Sequence, residues 1–184
     1  EAVVRYTRAL ELLDQMQASA PDGIESHAIL TQRFEVLNGR RSAFSQMGDV
    51  EAARADARAL LPLAEQLADD PVWKVDALLA QSEAVEWRNR KELADSLERA
   101  QQALTLARQL GDSRREMQAL IPVAKARLYL NDPGWQETAE RALEALPDLI
   151  RRGGGHGHAV PPIERVEAEM RAGERAGARL IVLG

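Results

Sequence analysis

Apolar residues recur at three- and four-residue intervals from residue 2 to residue 150, and alternating, strand-like spacing occurs only in the last seven positions. Three- and four-residue spacing places apolar side chains on one face of an α-helix. Turn formers and helix caps interrupt the pattern at Pro21-Asp22-Gly23, Gly48-Asp49, Asp69-Asp70-Pro71, Asn89, Gly111-Asp112 and Asn131-Asp132-Pro133-Gly134. The pattern therefore predicts helices at about residues 2–18, 24–47, 50–68, 72–89, 91–110, 113–130 and 134–150.

Short connections between these helices favour antiparallel hairpins. Successive hairpins also repeat every 42–43 residues, so that aromatic residues of the first helices and small residues of the second helices fall in register. The two columns contain Phe44, Trp87 and Tyr129, and Ala53, Ser96 and Thr138. A lone hairpin cannot bury both of its faces, so we expect the copies to stack around a continuous core. An unrelated helical bundle is the alternative.

The aromatic, small and alanine positions resemble the tetratricopeptide repeat, with "MGDVEAARADARALL" as the segment between its two helices. The resemblance covers about residues 2–150. It departs from the usual repeat of about 34 residues, and Arg40-Arg41 stand where one copy would have Leu-Gly. The resemblance implies an all-α fold, a right-handed α-solenoid of antiparallel helical hairpins. It also implies a non-enzymatic scaffold or sensor that binds a peptide or partner domain, within a larger bacterial regulatory protein.

In this repeat family a concave groove lined by the first helices holds the partner. The resemblance carries this role to Asn38, Ser42, Leu78, Gln81, Val85, Arg88, Val123 and Arg127. A bound peptide would then use main-chain hydrogen bonds to Asn38 and Gln81, and an acidic group could pair with Arg88 or Arg127. The alternative for each residue is ordinary solvated helix surface.

The composition changes abruptly after residue 152. The stretch "GGGHGHAVPP" cannot continue a helix, so we expect a repeat domain over 1–152 and a linker over 153–162. Residues 163–184 have the pattern of a short helix followed by a lone strand-like segment, which could be a truncated second domain or a cap on the array. The pair His156 and His158 lacks further metal ligands, so we expect flexible linker rather than a metal site.

The end of the chain also resembles the DNA-processing protein A family, which handles single-stranded DNA in transformation. The resemblance covers about residues 142–184 and rests on "RRGG" and "AGARLIVLG", at the linker and the start of that family's Rossmann-like domain. It implies an alternative function, a fragment of a protein that handles single-stranded DNA. A third hypothesis is a packing or oligomerisation module without a ligand.

Composition narrows these functions. The apolar fraction is 45% and the charged fraction is 29%, which is typical of a globular protein. The net charge of −5 favours no membrane partner and makes nucleic acid an unexpected one. We also expect the protein to be cytoplasmic. The chain contains no cysteine, and no serine or other nucleophile is spaced with a base, so we expect no enzyme and no cofactor. The uncapped terminal helices favour self-association.

Two further expectations concern the start of the chain and the start of one helix. Residue 1 is Glu rather than Met, so we expect the chain to be a piece of a longer protein. The sequence "SRRE" at 113–116 has the spacing of a capping box at the start of a helix.

Overall fold

The computed structural model describes residues 1–19, 27–86 and 89–152, with side chains up to residue 144 in the last helix. All regular elements in these ranges are helices, with no strand among them, which confirms the all-α expectation for this part of the chain. The helices are α1 (Ala2–Ala18), α2 (His27–Met47), α3 (Val50–Gln66), α4 (Val72–Glu83), α5 (Arg90–Leu110), α6 (Ser113–Tyr129) and α7 (Trp135–Arg152). The expected linker and the segment 163–184 lie outside the described residues.

The chain divides into two compact units, residues 1–86 and residues 87–184. In the first unit, α1 packs on α2, α2 on α3 and α3 on α4. In the second unit, α5 packs on α6 and α6 on α7. Each of these contacts joins helices that are neighbours in sequence, as short connections predict. The solenoid arrangement of the predicted array remains a prediction.

The core of the first unit is built mainly from leucine and alanine. Phe34 is its largest fully buried side chain, and its ring meets the ring of Trp73 edge to face at a centroid distance of 5.0 Å. Burying a side chain of this size contributes about 1.5 to 3 kcal/mol. The other buried members of this cluster are Leu30, Leu37, Ala57, Leu60, Leu63, Ala64, Leu67, Ala77, Ala80 and Ala84.

The repeat columns occupy distinct environments. The three members of the small-residue column, Ala53, Ser96 and Thr138, are all buried, where small side chains permit close helix approach. In the aromatic column, Phe44 is half-buried and Tyr129 keeps 43% of its surface exposed. Trp87, the third aromatic, lies outside the described residues.

Three helix-to-helix turns share one geometry. A residue with positive φ ends the helix in each: Gly48 at 78°, Gly111 at 66° and Asn131 at 60°. The amide of the next residue donates to a carbonyl five residues earlier, at 3.0, 3.0 and 2.9 Å, which is the Schellman arrangement. Positive φ favours glycine and asparagine. The glycine and asparagine residues at these positions therefore explain why the sequence predicted the three turns correctly.

An aspartate follows each of these residues and accepts hydrogen bonds from the chain beyond the turn. The pairs are Asp49 with the Ala52 amide at 3.1 Å, Asp112 with the Arg115 amide at 3.0 Å, and Asp132 with the Gly134 amide at 2.8 Å. The cap of α6 is thus Asp112, one residue before the predicted capping box at Ser113. Glu116, the expected partner in that box, instead accepts a hydrogen bond from Arg108 at 2.8 Å.

Helix α4 is shorter than its apolar pattern predicts, since it ends at Glu83 rather than near residue 89. Two arginines from other helices meet its end. The Nε of Arg54 donates to the carbonyl of Ala84 at 3.3 Å, and Arg41 pairs with Glu83 at 3.0 Å. Cations at a helix C-terminus satisfy its last carbonyls and complement its dipole. Ala84 and Val85, which follow the helix, are each only 5% exposed. The chain therefore buries these two side chains in the core where the pattern predicted further helix.

A largely buried ion pair joins α2 to α3. Arg40 donates from Nε and Nη2 to the two carboxylate oxygens of Asp56, at 2.8 and 2.7 Å, and the two side chains are 20% and 6% exposed. Its Nη1 also donates to the hydroxyl of Thr7 on α1 at 3.3 Å. The hydrogen bond to Asp56 raises the pKa of Arg40 above its ordinary value, against the lowering effect of burial. This cluster therefore ties three helices together.

Helix α1 also approaches α2 closely beside this cluster. A β-carbon placed on Gly39 would lie 2.7 Å from carbon atoms of the Tyr6 ring. Glycine at this position leaves room for the ring, so the contact depends on the absence of a side chain.

We expect Asp56→Ala to lower the free energy of unfolding by about 3 to 5 kcal/mol, because it leaves the charge of Arg40 buried and uncompensated. The double variant Arg40→Met/Asp56→Leu should regain most of this loss, since it removes both charges. Urea denaturation at pH 7, followed by circular dichroism, measures both. As a control, Glu11→Ala in the exposed pair with Arg8 should cost less than about 1 kcal/mol. A double variant as unstable as Asp56→Ala would contradict this account.

Candidate functional site

The predicted groove residues of the first unit separate into polar and apolar groups. Asn38, Ser42 and Gln81 are half-buried. Asn38 accepts a hydrogen bond from Arg41 at 3.0 Å, and Gln81 donates to a backbone carbonyl of α3 at 3.4 Å. The apolar residues Leu78 and Val85 are each only 5% exposed. Such buried side chains pack in the core and offer almost no surface to a peptide.

The second unit shows the same division. Val123 is 2% exposed and packs inside the unit. Arg127 is engaged at the α6–α7 turn, where its Nη1 donates to the hydroxyl of Thr138 at 2.8 Å and its Nε lies 3.5 Å from the carboxylate of Asp132. A peptide carboxylate that used Nη1 or Nε would compete with these contacts. The other predicted groove arginine, Arg88, lies outside the described residues.

Sequence reasoning missed a charged cluster that joins the three described helices of the second unit. Arg108 near the end of α5 and Arg141 on α7 both face Oε1 of Glu116 on α6, at 2.8 and 4.0 Å. The side chains of Arg108, Glu116 and Arg141 are 41%, 33% and 49% exposed, so water reaches all three. The residues are 8 and 25 positions apart in sequence, and no local pattern announces their meeting.

The charges of the chain are unevenly divided between the two units. Residues 1–86 contain 15 acidic and 8 basic side chains, whereas residues 87–184 contain 14 acidic and 16 basic ones. Within the second unit, α6 contains four basic residues and one acidic residue. The net negative charge of the whole chain therefore arises in the first unit.

The cap of α6 has a perturbed ionisation equilibrium. Partial burial by itself raises the pKa of Asp112, but hydrogen bonds from the backbone and guanidinium of Arg115 outweigh it and hold the pKa below its ordinary value. The Arg115 guanidinium donates to the carboxylate at 2.7 Å. A carboxyl whose pKa is lower in the folded state stabilises the fold above its unfolded pKa of about 4, and this contribution is lost as the pH falls through the folded value.

We expect Asp112→Asn to weaken the acid destabilisation of the protein while keeping the helix cap, because asparagine caps a helix but does not titrate. In contrast, Asp112→Ala should lower the free energy of unfolding by about 1 kcal/mol at pH 7 through loss of the cap. Urea denaturation between pH 7 and pH 2.5 gives both quantities. An Asp112→Asn protein with the acid dependence of the parent would show that this carboxyl does not contribute.

The described ranges contain neither a metal-binding cluster nor a membrane-spanning helix. No group of three or more His, Cys, Asp or Glu side chains there is arranged to hold a metal ion. Across the same ranges, no helix combines the length and apolar content needed to cross a membrane.

One comparison with known families finds a match. A family model described as the DprA-like N-terminal HHH domain matches residues 135–172. This stretch is similar to the HHH domain of DprA-like proteins. The match begins at the first residue of α7 and continues past the described residues, and it covers a minority of the chain. No curated protein and no solved structure matches the chain.

The match supports the resemblance to the DNA-processing protein A family and changes its details. Sequence reasoning placed the start of a Rossmann-like domain at 142–184, but the matched model is the N-terminal HHH domain and it begins at residue 135. Helix α7, assigned to the last repeat, is therefore part of the matched stretch. No match supports the tetratricopeptide resemblance, which remains a prediction.

Proposed function

We propose that this chain belongs to a protein that handles single-stranded DNA, and that its second unit contacts the DNA. The match of residues 135–172 to the DprA-like N-terminal HHH domain carries this proposal. Helix α7 opens the matched stretch and packs on α6, so α5, α6 and α7 are the described elements from which a DNA-contacting surface would be built.

The charge distribution supports the second unit rather than the first. A nucleic acid backbone repels a surface with excess carboxylates and is attracted by arginine and lysine. Residues 87–184 carry a slight excess of basic side chains, whereas acidic residues dominate residues 1–86. The net charge of −5, which argued against nucleic acid, averages over these two unlike halves. The proposal assigns binding to the second unit and no catalysis.

A binding measurement on the full chain tests this function. We expect a fluorescein-labelled oligo(dT) of 30 nucleotides to bind at low salt. The logarithm of the association constant should fall linearly with the logarithm of the salt concentration, with a slope of about −0.7 for each phosphate that the protein neutralises. Fluorescence anisotropy between 50 and 300 mM KCl gives the slope.

A pair of charge reversals locates the surface. Arg90→Glu/Lys91→Glu changes two exposed residues in the first turn of α5, where acidic side chains favour the helix, so we expect the variant to fold. Arg5→Glu/Arg8→Glu makes the same change of charge on the exposed face of α1 in the first unit. We expect the first variant to lose at least tenfold more affinity than the second. Equal losses would contradict the assignment to the second unit, and no binding by the parent would contradict the function.

We infer peptide binding by the first unit as a second candidate function. Its support is the partial exposure of Asn38, Ser42 and Gln81, three polar side chains able to bond a peptide main chain. Panning a displayed peptide library against the chain and against Asn38→Ala/Gln81→Ala tests it. Peptides retained equally by both proteins would remove this candidate.

A further inference from the structure

Two arginines of the second unit share a single carboxylate. Arg108 donates to Oε1 of Glu116 at 2.8 Å, and a guanidinium nitrogen of Arg141 lies 4.0 Å from the same oxygen. One carboxylate neutralises one guanidinium, so the cluster retains one positive charge. The two arginines come from α5 and α7, and Glu116 lies between them on α6.

The cluster is weakly held in its present pairing. Both arginines keep between two fifths and one half of their side-chain surface in water. Ion pairs at such exposure contribute about 0 to 1 kcal/mol each, because water screens the attraction. An anion of the same charge that both guanidiniums can bond in good geometry can therefore displace Glu116 at low cost.

We propose that Arg108 and Arg141 form a binding site for one backbone phosphate of single-stranded DNA, and that Glu116 occupies this site as an internal competitor when DNA is absent. The proposal rests on the proposed function. A guanidinium presents two parallel N–H donors that fit two phosphate oxygens, so two guanidiniums can hold one phosphate from both sides.

The surroundings limit the site to a single phosphate. Glu137 and Glu144 lie about one helical turn before and after Arg141 on α7, and both are exposed. Their carboxylates would repel further phosphates along α7. The DNA backbone would therefore pass across the three helices at this point rather than follow α7.

The sharpest test removes the competitor, because it predicts a gain. Glu116→Gln should tighten binding of the labelled oligo(dT) by about three- to tenfold, since Arg108 loses its bonded carboxylate and Arg141 loses the negative charge 4.0 Å away. Glu98→Gln, an exposed carboxylate on α5 that bonds Gln102 rather than an arginine, provides the control for the change in net charge. We expect Glu98→Gln to leave the affinity within twofold of the parent.

The arginines are tested in the opposite direction. Arg108→Gln/Arg141→Gln should weaken binding about tenfold or more and reduce the magnitude of the salt slope by about 0.7, the value for one phosphate. Circular dichroism verifies that each variant folds. If Arg108→Gln/Arg141→Gln does not fold, the affinity of Glu116→Gln alone tests the phosphate site.

The outcomes separate this inference from the proposed function. Binding by the parent that responds to neither Glu116→Gln nor the arginine variant overturns the phosphate site and leaves the DNA-binding function standing. Equal tightening by Glu116→Gln and Glu98→Gln reveals only the effect of net charge and also overturns the site. If the parent does not bind oligo(dT) at low salt, both proposals fail.

Discussion

The largely buried pair between Arg40 and Asp56 constrains how α2 and α3 pack in the first unit. A buried charge is tolerated only when its partner and its hydrogen bonds are supplied by the fold, so the pair requires α2 and α3 to keep one register. Thr7 extends the requirement to α1 by accepting a third hydrogen bond from the same guanidinium. Leucine and alanine supply most of the core around it, and such side chains tolerate sliding and repacking. The ionic pair favours the register of α2 and α3 in which both charges are satisfied, a directional preference that apolar contacts lack.

Arginine fixes helix ends as well as helix pairs in this protein. Arg41 and Arg54 meet the end of α4, and Arg127 holds the turn between α6 and α7. These side chains have long apolar stems that pack while their heads bond carbonyls and carboxylates. An arginine engaged in this way would exchange its internal contacts for those of a ligand, and the groove role of Arg127 stays a prediction. Arg108 and Arg141 keep 41% and 49% of their side-chain surface in water, against 30% for Arg127.

Local signals were enough to predict most helix boundaries, and nonlocal contacts were not. Gly48 and Gly111 mark turns because their backbone conformation is local, so the sequence could place them. Arg41 and Arg54, which contact the end of α4, come from helices earlier in the chain. The local apolar pattern contains no sign of these contacts, so it predicted a helix up to residue 89. The same limit applies to groove residues: periodicity identified Leu78 as lying on a helix, but the side that faces the core depends on neighbouring helices. Arg40 gave one usable signal, since a charged residue stood where the resembled repeat has an apolar one.

Candidate chemistry was harder to predict than fold because it depends on where charges lie, whereas composition reports only their sum. A net charge of −5 argues against nucleic acid if the charge is spread evenly, yet the excess of acidic side chains lies in residues 1–86, and residues 87–184 have a slight excess of basic ones. The same reasoning holds at the scale of one cluster. When charges are simply counted, Glu116 cancels one of the two positive charges of Arg108 and Arg141. Its carboxylate also lies between the two guanidiniums and attracts both of them to one place. Removing that carboxylate changes the local charge by one unit, and it also leaves the guanidinium of Arg108 without its hydrogen-bond acceptor.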